Sequence, residues 1–176
     1  MAIVAEITND KVIAEALKNL SETNLHRAVA RASKRAATAA RTAGTKQLRA
    51  IYTMKAGDMK SKMNLRSEAD GTTLVIRGSV EKIEKFRAKV KEGKGGGVFA
   101  SIKKGKEIKV PRSFELHGHM VMRVSEKRGP YRGLFGPSVP QMFGNKEVLD
   151  AMDKRGSEVF ETRLYHEISQ LAGGES

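Results

Sequence analysis

The stretch LHRAVARASKRAATAARTAGTKQLRAIY, residues 25–52, sets the architecture of this chain. Apolar residues recur along it at the spacing of one helical face, and most of them are alanines. Alanine favours helix, and its small side chain lets a second element approach closely. Gly44 is a weak point for a kink, at a cost of about 1 kcal/mol relative to alanine. The stretch therefore predicts a long helix that packs closely against another element.

A second long helix is predicted near the end of the sequence, over residues 146–172. Its apolar residues fall on one stripe. Asn145 is a candidate N-cap, and Glu147 lies where a negative charge meets the positive end of the helix dipole. Residues 53–145 lie between these two long helices in the sequence.

The segments outside the long helices carry strand signals. Asp70-Gly71 is a strong hairpin signal, and Pro111 indicates an edge strand or a break. A strand is also predicted over residues 2–8, followed by a helix that starts at Asn9 or Asp10 and ends near residue 20. The remaining strand candidates are residues 63–68, 72–78, 98–103, 106–116 and 119–124.

These elements predict an α+β fold, with a long N-terminal basic helix and a C-terminal helix packed on a mainly antiparallel sheet. A chain of 176 residues fits one structural domain over residues 1–176,. A hairpin or arm around residues 93–112 could protrude from it, because GKGGG at 93–97 is glycine-rich and the link at 103–106 is rich in lysine,.

The formal net charge of +13 is distributed unevenly along the chain. Residues 23–66 hold eleven Lys/Arg against one acid, a net charge of +10, and residues 82–112 hold eleven against three, a net charge of +8. From residue 145 onward, four Lys/Arg face seven Asp/Glu, a net charge of −3. Such segregation can hold a protein near a polyanion, or let the acidic part of one copy meet the basic part of the next. The pattern leaves both readings open.

Aromatic residues, which stack on bases in proteins that read single-stranded nucleic acid, are scarce. Tyr52 is the only one within residues 23–66. Sequence-specific base readout is therefore disfavoured, whereas charge-only contact with a phosphate backbone stays open. The alternative is that the cations of this helix form only a solvated face and bind nothing. The residues predicted to make charged contacts with DNA or a neighbouring subunit are Arg27, Arg31, Lys34, Arg35, Arg41 and Arg49.

The run GPSVPQM at residues 136–142 predicts a stiff path into the second long helix. Pro137 and Pro140 each fix φ, and each pushes the residue before it, Gly136 or Val139, towards extended backbone. A stiff segment suits a surface that must be held in one shape. The predicted protein-docking residues are Phe135, Gly136, Pro137, Ser138, Val139, Pro140, Gln141 and Met142.

We find no convincing catalytic, cofactor or metal motif. Without cysteine, no disulfide or thiolate site can form,. His117-Gly118-His119 lacks a third ligand at a supporting spacing and is more typical of a surface turn. GKGGG lacks the spacing of a P-loop, and Ser138 lacks the GxSxG elbow. The prediction is a protein that is not an enzyme, with no catalytic residue, cofactor or metal; a hydrolase would need a deep polar pocket.

The sequence carries no secretory h-region and no apolar run near the roughly 20 residues that span a bilayer. We therefore expect a soluble intracellular product with no membrane partner.

Several segments together resemble the phage minor tail protein Z (tail completion) family. They are the basic helix RASKRAATAARTAGTKQLR, the following IYTMKAGDMKSKM, the strand pair SFELHGHMVMRVSEKRG, and GLFGPSVPQM with EVLDAMDKRGSEVFETRLYHEISQL. The last of these is the most specific, and the resemblance covers about residues 25–172. Pro130-Tyr131 departs from the pattern, which has Arg followed by Pro-Ile there, and GKGGG is more glycine-rich than the family's loop.

The resemblance implies a structural virion protein at the head-proximal end of a phage tail, made in the host cytoplasm. It would complete the tail and help to join it to the neck and head, as a multi-copy ring around the DNA channel. The implied partners are further copies of this chain, other tail and neck proteins, and genomic DNA through non-specific contact. The alternative is a free nucleic-acid-binding protein without sequence specificity.

Overall fold

The computed structural model describes residues 22–68, 71–93 and 96–173. The strand predicted over residues 2–8 and the helix predicted to follow it lie outside these ranges. Within them, a long N-terminal helix, a C-terminal helix and antiparallel sheets confirm the predicted α+β fold.

The described residues contain four α-helices, one short 3-10 helix (Ile83–Lys85) and ten strands. The helices are α1 (Glu22–Ile51), α2 (Ala56–Lys60), α3 (Val139–Phe143) and α4 (Lys146–Gly173). The strands are β1 (Met63–Glu68), β2 (Gly71–Ile76), β3 (Glu81–Lys82), β4 (Lys89–Lys91), β5 (Gly97–Ala100), β6 (Ile108–Val110), β7 (Ser113–Leu116), β8 (His119–Arg123), β9 (Tyr131–Gly133) and β10 (Phe135–Gly136). They form four small sheets: β1–β2, β3–β10, β4–β5–β6 and β7–β8–β9.

The chain divides into two compact units. The first comprises the described residues up to Gly44, residues 63–75 and the residues from Lys146 onward. The second comprises residues 45–62 and 76–145. The expectations of a single structural domain over residues 1–176 and of an arm around residues 93–112 stay predictions.

In the first unit, the buried side of α1 is a row of small residues. Ala28, Ala32, Ala36, Ala40 and Gly44 follow one another at intervals of four, and all are buried. Rows of every fourth residue are the ridges that interlock in the commonest class of helix packing. Because none of these residues carries a long side chain, a partner helix can approach closely.

The helix α4 buries a matching row of mostly larger residues. Val148, Gly156, Leu164 and Ile168 are buried at intervals of four or eight, and Phe160 is half-buried in the same row. Leu164 and Ile168 form one apolar cluster with Ala28 and Ala32 of α1. Large side chains on α4 thus fill the space that the alanines on α1 leave open.

One apolar core cluster of the second unit lies beneath the sheet β4–β5–β6. Its buried members are Ile83, Val98, Ala100 and Leu134. Ser113 lies beside this core, and its hydroxyl accepts a hydrogen bond from the Val98 N–H at 2.8 Å. The core therefore joins segments that are far apart in the sequence.

The strand predicted over residues 106–116 is broken at Pro111, the second of the two outcomes that the sequence allowed. The break separates β6 from β7, and Arg112 has a φ of +55°. The predicted surface turn at His117-Gly118 is also present: both residues have positive φ, and they connect β7 to β8 as a two-residue hairpin loop,. The other predicted hairpin turn was Asp70-Gly71. Gly71 is the first residue of β2, and Asp70 lies outside the described residues.

The extended path predicted at Val139 is wrong. Val139 is the first residue of α3, and the N-cap is Ser138. The Ser138 hydroxyl accepts from the Gln141 N–H at 3.3 Å, while the Gln141 side-chain oxygen accepts from the Ser138 N–H at 2.9 Å. This capping box outweighs the preference that Pro140 imposes on the residue before it.

Candidate functional site: the basic face of the first helix

Five of the six predicted contact residues lie on the part of α1 that belongs to the first unit. At 100° per residue they fall within an arc of about 120°. Between the first and the last of them, the helix rises by about 21 Å. We call these five residues the basic face: Arg27, Arg31, Lys34, Arg35 and Arg41. The sixth, Arg49, lies in the second unit and is exposed.

The basic face lies opposite the buried row of small residues that runs from Ala28 to Gly44 on the same helix, which we call the alanine row. Ala32 and Ala36 point into the first unit and are buried, whereas Arg27, Lys34 and Arg35 are exposed. One side of α1 is therefore used for packing, and the other is left to cations.

Short polar side chains occupy the centre of the basic face. The Thr38 hydroxyl donates to the Lys34 carbonyl at 2.8 Å, and the Thr42 hydroxyl donates to the Thr38 carbonyl at 3.0 Å. Because these hydroxyls are bound to their own helix, they do not hold the neighbouring cations. The longer side chains of Arg27, Lys34 and Arg35 are exposed to solvent.

The cations of the basic face differ in their partners. Arg31 Nη1 lies 3.0 Å from Glu167 Oε2 on α4, although the Arg31 side chain is still 68% exposed. Arg41 is half-buried and interacts with other residues of the chain. Within the described residues, Arg27, Lys34 and Arg35 are exposed and form no ion pair. Those three are the cations that remain for an external anion.

The bridge between Arg31 and Glu167 also bears on the charge segregation seen in the sequence. It joins the basic and the acidic segments within one copy of the chain. An exposed ion pair of this kind contributes about 0–1 kcal/mol, so it opens readily when a stronger anion approaches.

The predicted docking stretch is mostly buried. Gly136, Ser138, Val139 and Met142 are buried, and Pro137 and Pro140 are half-buried. Only Phe135, which is 54% exposed, and Gln141 are exposed to solvent. Any docking by this stretch rests on those two side chains, while the buried ones hold α3 in place.

A second group of cations, which the sequence did not predict as a site, lies in the second unit. Lys89 and Lys91 of β4, Phe99 of β5 and Lys109 of β6 share one face of the sheet, because Lys89 pairs with Phe99 and Phe99 pairs with Lys109. The Glu107 carboxylate lies 3.0 Å from Lys89 Nζ and 3.2 Å from Lys91 Nζ. We call this group the lysine face. Its sequence signal was the alternation of Lys89, Val90 and Lys91.

The two lysines beside Glu107 lower the pKa of its carboxyl group, chiefly through the hydrogen bond from Lys89. Glu107 therefore stays ionised throughout the neutral range. The lysine face carries three positive charges against one negative charge.

The described residues contain no group of three or more His, Cys, Asp or Glu that could hold a metal ion. His117 and His119 are both exposed at the β7–β8 turn. None of the described helices combines the length and the apolar character that crossing a bilayer requires. Comparison of the chain with family models, with curated proteins and with solved structures found no match.

Proposed function

We propose that this protein is a structural component of a phage tail, located at its head-proximal end. Several copies assemble into a ring around the DNA channel, complete the tail and help to join it to the neck. The observation that carries the proposal is the basic face, which presents exposed cations without aromatic residues.

Such a face suits a surface past which DNA slides. Arg27, Lys34 and Arg35 can each meet a phosphate without reading a base. A rigid helix keeps their spacing, and the buried alanine row of α1 fixes the helix in its unit. Weak, sequence-independent attraction supports passage of a genome better than tight binding would.

Contact between copies is supported by the exposed residues of the docking stretch. Phe135 offers a large apolar side chain on β10, next to the capped helix α3. A preformed segment lowers the ordering cost of association. Head-to-tail contacts of this kind close into a ring when the rotation between copies allows it.

The test is the assembly of the full chain. Electron microscopy and light scattering of the purified protein are expected to show ring-shaped oligomers, and immunolabelling is expected to locate them at the head-proximal end of tails. Reversal of two exposed cations, Arg27→Glu with Arg35→Glu, should impair ring formation or DNA retention. The matched control, Lys154→Glu with Arg163→Glu on α4, makes the same change in net charge.

Two results would contradict the proposal. One is a wild-type chain that stays monomeric both alone and with tail proteins. The other is a doubly reversed α1 variant that assembles and retains DNA as well as the control does. A monomer that binds DNA with steep salt dependence would instead favour the free nucleic-acid-binding protein.

A further inference from the structure

We propose that the lysine face is a second binding site, which takes the phosphodiester backbone of nucleic acid without reading its sequence. It lies in the second unit, whereas the proposed function rests on α1 in the first, so either assignment can fail without the other.

The sheet β4–β5–β6 arranges its cations in a fixed pattern. Lys89, Phe99 and Lys109 form one row across three strands, so Lys89 and Lys109 are about 10 Å apart at the backbone,. Lys91 lies two residues beyond Lys89 on the same face, about 7 Å along the strand. A DNA duplex carries one negative charge per about 1.7 Å of its axis. Several phosphates can therefore face an area of this size.

The opposite side of the sheet anchors this pattern. Val90, Val98 and Val110 alternate with the outward residues and pack into the core of the second unit. A register shift by one residue would move the lysines to the other face of the sheet, but it would also expose that core. The lysines are therefore held on the outer face.

The Phe99 ring orders the side chains between the strands. Lys91 Nζ lies 4.0 Å from the centroid of the ring, and Lys109 Nζ lies 5.9 Å from it. A ring attracts an ammonium through its quadrupole, which restricts the lysine before any ligand arrives. Less side-chain entropy is then lost on binding.

The face is open to solvent. The side chains of Lys89 and Lys91 are 58% and 48% exposed. Three more exposed lysines, Lys103, Lys104 and Lys106, lie in the connection between β5 and β6. Lysines spread over an area of this size complement the closely spaced charges of a phosphodiester backbone, and this favours nucleic acid over an acidic protein as the occupant.

Glu107 provides a sharp test, because it partly neutralises Lys89 and Lys91. We expect Glu107→Gln to tighten binding of the full chain to a short fluorescein-labelled DNA duplex by about twofold to threefold. One charge at about 8 Å in water changes an affinity by that factor. The matched control is Glu126→Gln, which changes the net charge equally at an exposed residue outside the face and should have a smaller effect.

A second pair of variants measures the phosphate contacts directly. Replacing Lys89, Lys91 and Lys109 by Gln should reduce the slope of log affinity against log salt by about two to three, at about 0.9 per phosphate contact. The control replaces Lys146, Lys154 and Arg163 of α4 by Gln and should leave the slope unchanged. Circular dichroism and urea midpoints confirm that each variant is folded.

If Glu107→Gln and Glu126→Gln changed the affinity for the duplex equally, the inference would be overturned, because the change in net charge alone would then explain the change in affinity. Equal salt slopes for the two triple variants would overturn it as well. A triple lysine variant that loses self-association but keeps its salt slope would make the face a protein contact and would also overturn it.

Discussion

Substitution of Gly136 by alanine tests how tightly the second unit is packed. A Cβ at residue 136 would lie 2.5 Å from Cε2 and 2.8 Å from Cδ2 of the Phe86 ring. Real Cβ atoms do not come that close to a neighbour, so the ring or the backbone must shift. Phe86 is fully buried and has little room to move.

The expected cost follows from this contact. Inserting a methyl group into a packed core destabilises by about 1–3 kcal/mol. Gly136 is not among the glycines with positive φ, so the penalty is steric and owes nothing to the backbone. In urea unfolding, with a slope of about 2 kcal/mol per M, the midpoint should fall by about 0.5–1.5 M while the slope stays unchanged.

Gly57→Ala is the matched control in the same unit. No atom lies within 4 Å of its added Cβ, and residue 57 is helical, so the midpoint should stay or rise slightly,. Phe86→Leu should cost less in the Gly136→Ala background than in the wild type, because it makes room for the new methyl group. A Gly136→Ala protein with a wild-type midpoint would refute the reasoning.

Two further predictions concern polar contacts of the second unit. Ser138→Ala removes the capping box of α3 and should lower the free energy of unfolding by about 1 kcal/mol, measured by urea unfolding; Ser138→Asn, which keeps a capping oxygen, should restore most of it, and equal losses in both variants would exclude the cap as the cause,. The hydrogen bond from Lys85 to Glu81 is the main cause that raises the pKa of Lys85 above 10.5. The pKa of Lys85 is higher in the folded protein than in the unfolded chain. The contribution of its charge to the free energy of unfolding is therefore fully present below about pH 10.5, and it is lost as the pH rises through the pKa of the folded protein. The stability difference between the wild type and Lys85→Gln should therefore be constant at neutral pH and shrink in alkaline urea titrations; a difference that does not change with pH would contradict this.

The two long helices were predictable because their signals are local. The apolar spacing of residues 25–52 and 146–172 agrees with α1 and α4 to within about three residues at each end. The break at Pro111 was also predictable, since proline removes a donor from the strand wherever it occurs. The helical conformation of Val139 was not predictable. The hydrogen bonds between Ser138 and Gln141 favour helix there, whereas Pro140 favours extended backbone, and no single residue shows which effect is stronger.

The candidate site was only partly predictable. Helical geometry alone brings Arg27, Lys34 and Arg35 to one face. The pairing of Arg31 with Glu167 depends on how two helices that are distant in sequence pack, which periodicity does not determine. The lysine face depends on strand register, and a register shifted by one residue would bring Lys89 opposite a different neighbour.

The alanine row gives α1 a practical independence between its two sides. Between Ala28 and Gly44, every buried residue of the helix is an alanine or a glycine. The exposed cations Arg27, Lys34 and Arg35 could therefore be exchanged or removed without repacking these buried residues. Selection can therefore change which anion or neighbouring protein the helix attracts while the packing of the helix stays the same.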